Sequence, residues 1–117
     1  MKNLCFVSSS RADYYLLNSL MLKVKNSKKF QLQIIITGSH LYKSHGMTIN
    51  NVVKDGFKVN SKIKLSSKTN QKTIIQNISK GISYFTRAYE KLKPDMVILL
   101  GDRFEIFSSA IAAYFLN

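Results

Sequence analysis

The apolar positions of the chain fall into two kinds of run, continuous and periodic, and the two alternate. Residues 4–7 are apolar without a break. After the turn Ser8-Ser9-Ser10, positions Leu16, Leu17, Leu20, Met21 and Val24 share one helical face. Ser10 and Asp13 have the spacing of a capping box, which starts this helix at about Arg11, and Asn26-Ser27-Lys28-Lys29 ends it. Residues 32–36 form a second continuous run and leave through Thr37-Gly38-Ser39-His40. A weakly patterned helix over 41–54 follows, interrupted by Gly46 and closed by Asp55-Gly56. Phe57, Val59 and Ile63 alternate with polar residues, which predicts a short third strand nearer a sheet edge. Beyond a polar loop at 66–70, Ile74, Ile75, Ile78, Ile82, Phe85, Tyr89 and Leu92 make a long helical stripe that Lys93-Pro94 stops.

The most informative stretch comes next. Residues 96–100 have the length and continuous hydrophobicity of a strand buried on both faces. Gly101 ends the run, and Asp102, Arg103 and Glu105 follow before Ile106, Phe107, Ala110, Ile111 and Tyr114 fall on one helical stripe. Strand and helix thus alternate four times with short connections. That rhythm predicts an α/β fold with a doubly wound parallel sheet, right-handed crossovers and strand order 3-2-1-4. The strand order reverses between strands 1 and 4, where open sheets bind ligands. The turns around Arg11 and around Asp102 both open onto that crevice. The chain stops after a helix where a fifth strand would normally follow, so it reads as part of a larger protein.

Composition changes this picture little. At 117 residues the chain is one domain at most, and 45% hydrophobic content makes it globular. The apolar run after Lys2 is too short for a signal peptide, and no stretch approaches the roughly 20 apolar residues of a membrane span. The lone Cys5 within the first strand reads as a buried, reduced thiol of a cytoplasmic protein. One Cys and two His are poor material for a metal site. The net charge of +12 is conspicuous, and residues 43–93 carry eleven Lys or Arg against Asp55 and Glu90. These are mostly single lysines without interleaved aromatics, so a solvated basic face is favoured over nucleic-acid binding.

Candidate chemistry gathers at the two informative turns. Neither carries a GxGxxG fingerprint or a Walker sequence. A helix start beside Arg11, with Asp102 and Arg103 opposite, suits a phosphate. Asp102, in a semi-buried crevice, suits acid–base chemistry. Asp102 and Glu105 can equally form a helix capping box, and Arg11 can be an exposed helix-start residue or pair with Asp102. His40 reads as a turn histidine bonded to backbone.

Ser10-Arg11-Ala12-Asp13-Tyr14, Thr37-Gly38-Ser39-His40-Leu41, Asp55-Gly56-Phe57, and Leu92-Lys93-Pro94-Asp95 through Gly101-Asp102-Arg103-Phe104-Glu105 occur in one order. Together they resemble the amino-terminal part of the UDP-N-acetylglucosamine 2-epimerases, and more closely the hydrolysing branch of sialic- and legionaminic-acid pathways. The resemblance covers essentially all 117 residues. It implies a Rossmann-like half of a glycosyltransferase-B-type architecture, with residues 1–117 a partial first domain and the second domain lacking. It also implies elimination of UDP across C1 and C2 of a UDP-acetamido sugar, then hydration to the 2-epimeric free sugar, with no cofactor or metal. By motif, Asp102 resembles the acid/base carboxylate, and Arg11 and Arg103 resemble residues around the nucleotide phosphates. A homo-oligomer is implied for the full-length protein, and near-complete inactivity for this portion alone. Tyr15 departs from the usual Gly or Ser, and Ser9 from a usual Gly. A split-enzyme partner module that docks on a separate nucleotide-sugar-binding chain is the alternative, and a basic nucleic-acid-binding domain the weakest one.

Overall fold

The continuous apolar runs are continuous because both sides of each strand are covered. Along strand β1 (Lys2–Ser8), Phe6 faces one side of the sheet while Cys5 and Val7 face the other; along β2 (Phe30–Thr37), Ile34 and Ile36 oppose Ile35. With β3 (Ser61–Ile63) and β4 (Met96–Ile98) they form an all-parallel sheet in the order β3-β2-β1-β4. This computed structural model describes residues 1–116. Helices α1 (Arg11–Lys25) and α2 (Ile49–Lys54) cover one face, burying Tyr14, Leu17, Met21 and Val52 against Phe6, Ile34 and Ile36. Helices α3 (Gln71–Leu92) and α4 (Phe104–Leu116) cover the other with Phe85, Tyr89, Ile106 and Ala112. Each large apolar side chain so buried contributes about 1.5–3 kcal/mol. Among the described residues no helix is long and apolar enough to cross a membrane.

The starts and stops follow local chemistry. Ser10 and Asp13 form the expected reciprocal capping box of α1. Lys93 takes a left-handed conformation (φ 50°) that closes α3 just before Pro94. Asp95 then clamps β4 to β1 twice: its N–H donates to the Asn3 carbonyl at 2.8 Å and its carboxylate accepts the Asn3 N–H at 2.7 Å.

Four expectations need correction. Residues 41–54 are not one helix: two 3₁₀ turns, Gly38–Leu41 and Lys43–His45, precede α2, separated from it by Gly46 at φ 80°. The third strand is confined to Ser61–Ile63, because Asn60 pairs with Ile34 through its side chain as well as its backbone, at 2.9 and 2.8 Å. Strand β4 ends at Ile98 and is not buried on both faces; it lies at the sheet edge with Met96 exposed. The buried face of α4 is Glu105, Ile106, Ser108, Ser109 and Ala112, whereas Phe107 and Tyr114 point outward. Close approach decides this last point. A Cβ on Gly81 of α3 would lie 2.9 Å from Ser108 Oγ, so small residues must face α3 there.

Candidate functional site

Because β1, β2 and β4 run parallel, their exits share one end of the sheet, and the three turns meet there. Asp13 organises the first. Its Oδ2 accepts from the Ser9 N–H (3.1 Å), the Ser9 hydroxyl (2.9 Å), the Ser10 N–H (3.1 Å) and the Ser10 hydroxyl (3.2 Å), and its Oδ1 accepts from the Ser8 hydroxyl. A carboxylate this well supplied with donors is held rigidly while almost fully buried. Sequence reasoning took Asp13 for a cap alone; the three consecutive serines before it were the signal of a larger role.

The second turn is tied to the first. The Ser39 N–H donates to the Ser9 carbonyl at 2.9 Å. His40 is fully buried, and its ring bonds side chains, not the backbone expected from sequence: Nε2 lies 2.8 Å from Ser8 Oγ and Nδ1 2.8 Å from Thr48 Oγ1. Since the one Ser8 hydroxyl proton goes to Asp13, Nε2 carries the imidazole proton and Nδ1 accepts from Thr48. Burial lowers the His40 pKa below 6.5, the nearby Asp13 charge partly opposing it.

The third turn carries the remaining charges. Gly101 (φ 107°) turns the chain into open space, and Asp102 is exposed there, not semi-buried. It does not cap α4: the Arg103 carbonyl accepts the Ile106 and Phe107 N–H groups, so the helix is capped one residue later. Glu105 completes no capping box either. Its fully buried carboxylate accepts from Arg103 Nε at 3.0 Å and Nη2 at 3.1 Å, and this bonding is the main cause of a raised Arg103 pKa. It is the one ion pair among the described residues, so Arg11 makes none with Asp102. Arg11 is exposed at the first helical position of α1, and Tyr15 leans outward against Tyr14.

The strand exits therefore combine two exposed cationic side chains, a free carboxylate and a buried, hydrogen-bonded polar floor. That combination can bind an anion and offers one carboxylate for proton transfer. A groove of about 720 Å³ lies elsewhere, along the free side of β4 between Pro94, Met96, Leu99 and Tyr114.

A doubly wound parallel sheet with polar groups at the carboxyl ends of β1 and β4 is the α/β architecture in which ligands bind where the strand order reverses. The family model for UDP-N-acetylglucosamine 2-epimerase matches residues 22–117, and the chain belongs to that family. A Campylobacter jejuni GDP/UDP-N,N'-diacetylbacillosamine 2-epimerase (hydrolyzing) is 41% identical over 93% of this chain and 28% of its own length. The Legionella pneumophila UDP-N,N'-diacetylbacillosamine 2-epimerase (hydrolyzing) is 32% identical over 100% of this chain and 31% of its own. The chain thus spans less than a third of these relatives and matches their amino-terminal part. Among solved structures, a UDP-N-acetylglucosamine 2-epimerase superposes with a TM-score of 0.81 at 16% identity, covering 99% of this chain and 31% of the other. The Neisseria meningitidis UDP-GlcNAc 2-epimerase bound to UDP-GlcNAc gives 0.78 at 20%, covering 99% and 29%. These likenesses establish the glycosyltransferase-B-type fold.

Proposed function

We propose that residues 1–117 form the amino-terminal, Rossmann-like part of a hydrolysing 2-epimerase acting on a UDP-acetamido sugar. The observation that carries this is the 41% identity to a hydrolysing epimerase across nearly the whole chain. In this reading Arg11 and Arg103 receive the nucleotide phosphates, and Asp102 moves a proton at the sugar as UDP leaves across C1 and C2. Water then adds to the glycal to give the 2-epimeric sugar. Three features support these roles: Asp102 and Arg11 are exposed at the same end of the sheet, Arg103 is half-exposed beside them, and Asp102 has no bonding partner among the described residues. The rest of the cleft belongs to a second domain, joined to this one in the same chain or supplied by a partner. The open edge of β4 and its adjoining groove favour a sheet completed by further polypeptide. Orienting a substrate within a closed cleft is worth about 7–11 kcal/mol, so this part alone is nearly inactive. The buried, unpaired thiol of Cys5 supports a cytoplasmic setting, and the 32% identity to an Escherichia coli polysialic acid biosynthesis protein supports a sialic-type sugar; a homo-oligomer of the whole enzyme belongs to the same reading, and binding of nucleic acid does not.

The test is a chimera in which residues 1–117 replace the matching part of the Campylobacter relative. It should release UDP from a UDP-acetamido sugar, and Asp102→Asn should lower that rate by about 10²–10⁴-fold with the fold intact. Unchanged turnover in the variant would remove Asp102 from the chemistry.

A further inference from the structure

Glu105 is a carboxylate without exposed surface, and the proposed chemistry gives it no part. Its surroundings are unusually constrained. A Cβ on Gly38 would lie 3.0 Å from Glu105 Oε1 and 2.5 Å from the Ser9 carbonyl, so Gly38 at the exit of β2 sits against Glu105 with the exit of β1 packed behind it. Both of its oxygens face Arg103, at 3.0 Å from Nε and 3.1 Å from Nη2. The guanidinium also lies over the Phe104 ring, 5.8 Å from its centroid. Nη1 has no partner among the described residues, and the side chain is 44% exposed.

An exposed arginine on a turn ordinarily samples many rotamers and must be ordered when it binds. Here one edge of the planar fork is already anchored to a rigid, buried acceptor. We infer that Glu105 is a positioning residue, clamping Arg103 at Nε and Nη2 so that Nη1 is presented, already ordered, to a phosphate oxygen of a nucleoside diphosphate. This rests on the reading of Arg103 as a phosphate-binding residue. The clamp exploits a property arginine has and lysine lacks: a guanidinium can satisfy a carboxylate with one edge and still donate from the other.

Charge alone predicts the opposite of positioning. Glu105 places a negative charge beside an anion site, so counting charges makes its removal strengthen anion binding; a positioning role makes its removal weaken it. The experiment titrates the ¹⁵N-labelled chimera described above with UDP and follows the Arg103 Nε–H resonance, assigned by its loss in Arg103→Lys. In the unsubstituted chimera that proton should exchange slowly and shift saturably with UDP. Glu105→Gln should make it exchange fast and weaken UDP binding by roughly tenfold, although the net charge rises. Arg103→Lys alters an exposed group and keeps the fold, so it carries the test if Glu105→Gln unfolds. It should weaken UDP comparably, and combining the two should add nothing. UDP binding as tight as or tighter than in the unsubstituted chimera, in either single variant, overturns the positioning role alone. No UDP-dependent shift at all, or unchanged affinity in Arg103→Ala, removes the phosphate-binding reading and the clamp with it.

Discussion

His40 Nε2 lies 2.8 Å from the Ser8 hydroxyl, so the exits of β2 and β1 are joined by side chains as well as by the sheet. A proton on Nδ1 would displace the hydrogen bond that nitrogen accepts from Thr48, while the Nε2–H bond to Ser8 would remain. Burial already keeps His40 neutral by holding its pKa below 6.5, with Asp13 opposing.

A pH dependence follows. The unfolded chain, with an ordinary histidine, binds the proton before the folded chain does as pH falls. More protons on the unfolded state means that stability rises with pH, so it should drop as pH is lowered from about 7 to about 5.5. Urea midpoints at those two pH values should differ in the unsubstituted chain and converge in His40→Gln. Equal slopes in the two proteins would show that His40 does not titrate differently on folding.

Gly38 and Gly46 offer a matched pair of substitutions. Both are left-handed, at φ 65° and 80°. A Cβ at Gly46 meets nothing within 4 Å, so Gly46→Ala should cost only the backbone strain, about 1–2 kcal/mol. At Gly38 the same Cβ lies 2.5 Å from the Ser9 carbonyl, a backbone atom that cannot swing aside. Gly38→Ala should therefore cost at least about 2 kcal/mol more than Gly46→Ala and broaden the Ser8, Ser9 and Ser10 amide signals. Equal losses by chemical denaturation would mean that the turns of β1 and β2 can separate cheaply.

The outward face of α4 and the edge of β4 expose apolar surface together. Phe107, Tyr114 and Phe115 are 56%, 77% and 78% exposed, and Met96, which lines one groove with Tyr114, is 58% exposed. Contiguous apolar patches of this kind drive association, and an unpaired strand edge invites it. The charge of +12 opposes it, but only over the roughly 8 Å that screening at physiological salt allows. The purified chain should sediment as dimers or larger species, and Phe107→Lys with Phe115→Lys should return it to monomer. A monomeric unsubstituted chain at tens of micromolar would show that this face does not associate.

Much of the architecture is written locally in the sequence. Alternate burial of Cys5, Phe6 and Val7, the Ser10–Asp13 cap and the Lys93-Pro94 stop each depend on a few neighbouring residues, and with the rhythm of the runs they determine a four-stranded sheet in the order 3-2-1-4. That Arg11 and Asp102 share one end of the sheet was legible because parallel strands put both exits there, whereas the exposure of Asp102 was not. What the sequence could not decide depends on which surfaces come close. Hydrophobicity pointed Phe107 and Tyr114 inward, whereas contact between Gly81 and Ser108 turns the small residues of α4 toward α3. Asp13, Ser8 and His40 become one network only when β1 and β2 lie side by side, and Glu105 becomes a clamp for Arg103 only when three turns bury it. Periodicity and capping act within a turn or two of chain. Close approach and burial are set by distant elements packing together, and so appear only in the tertiary structure.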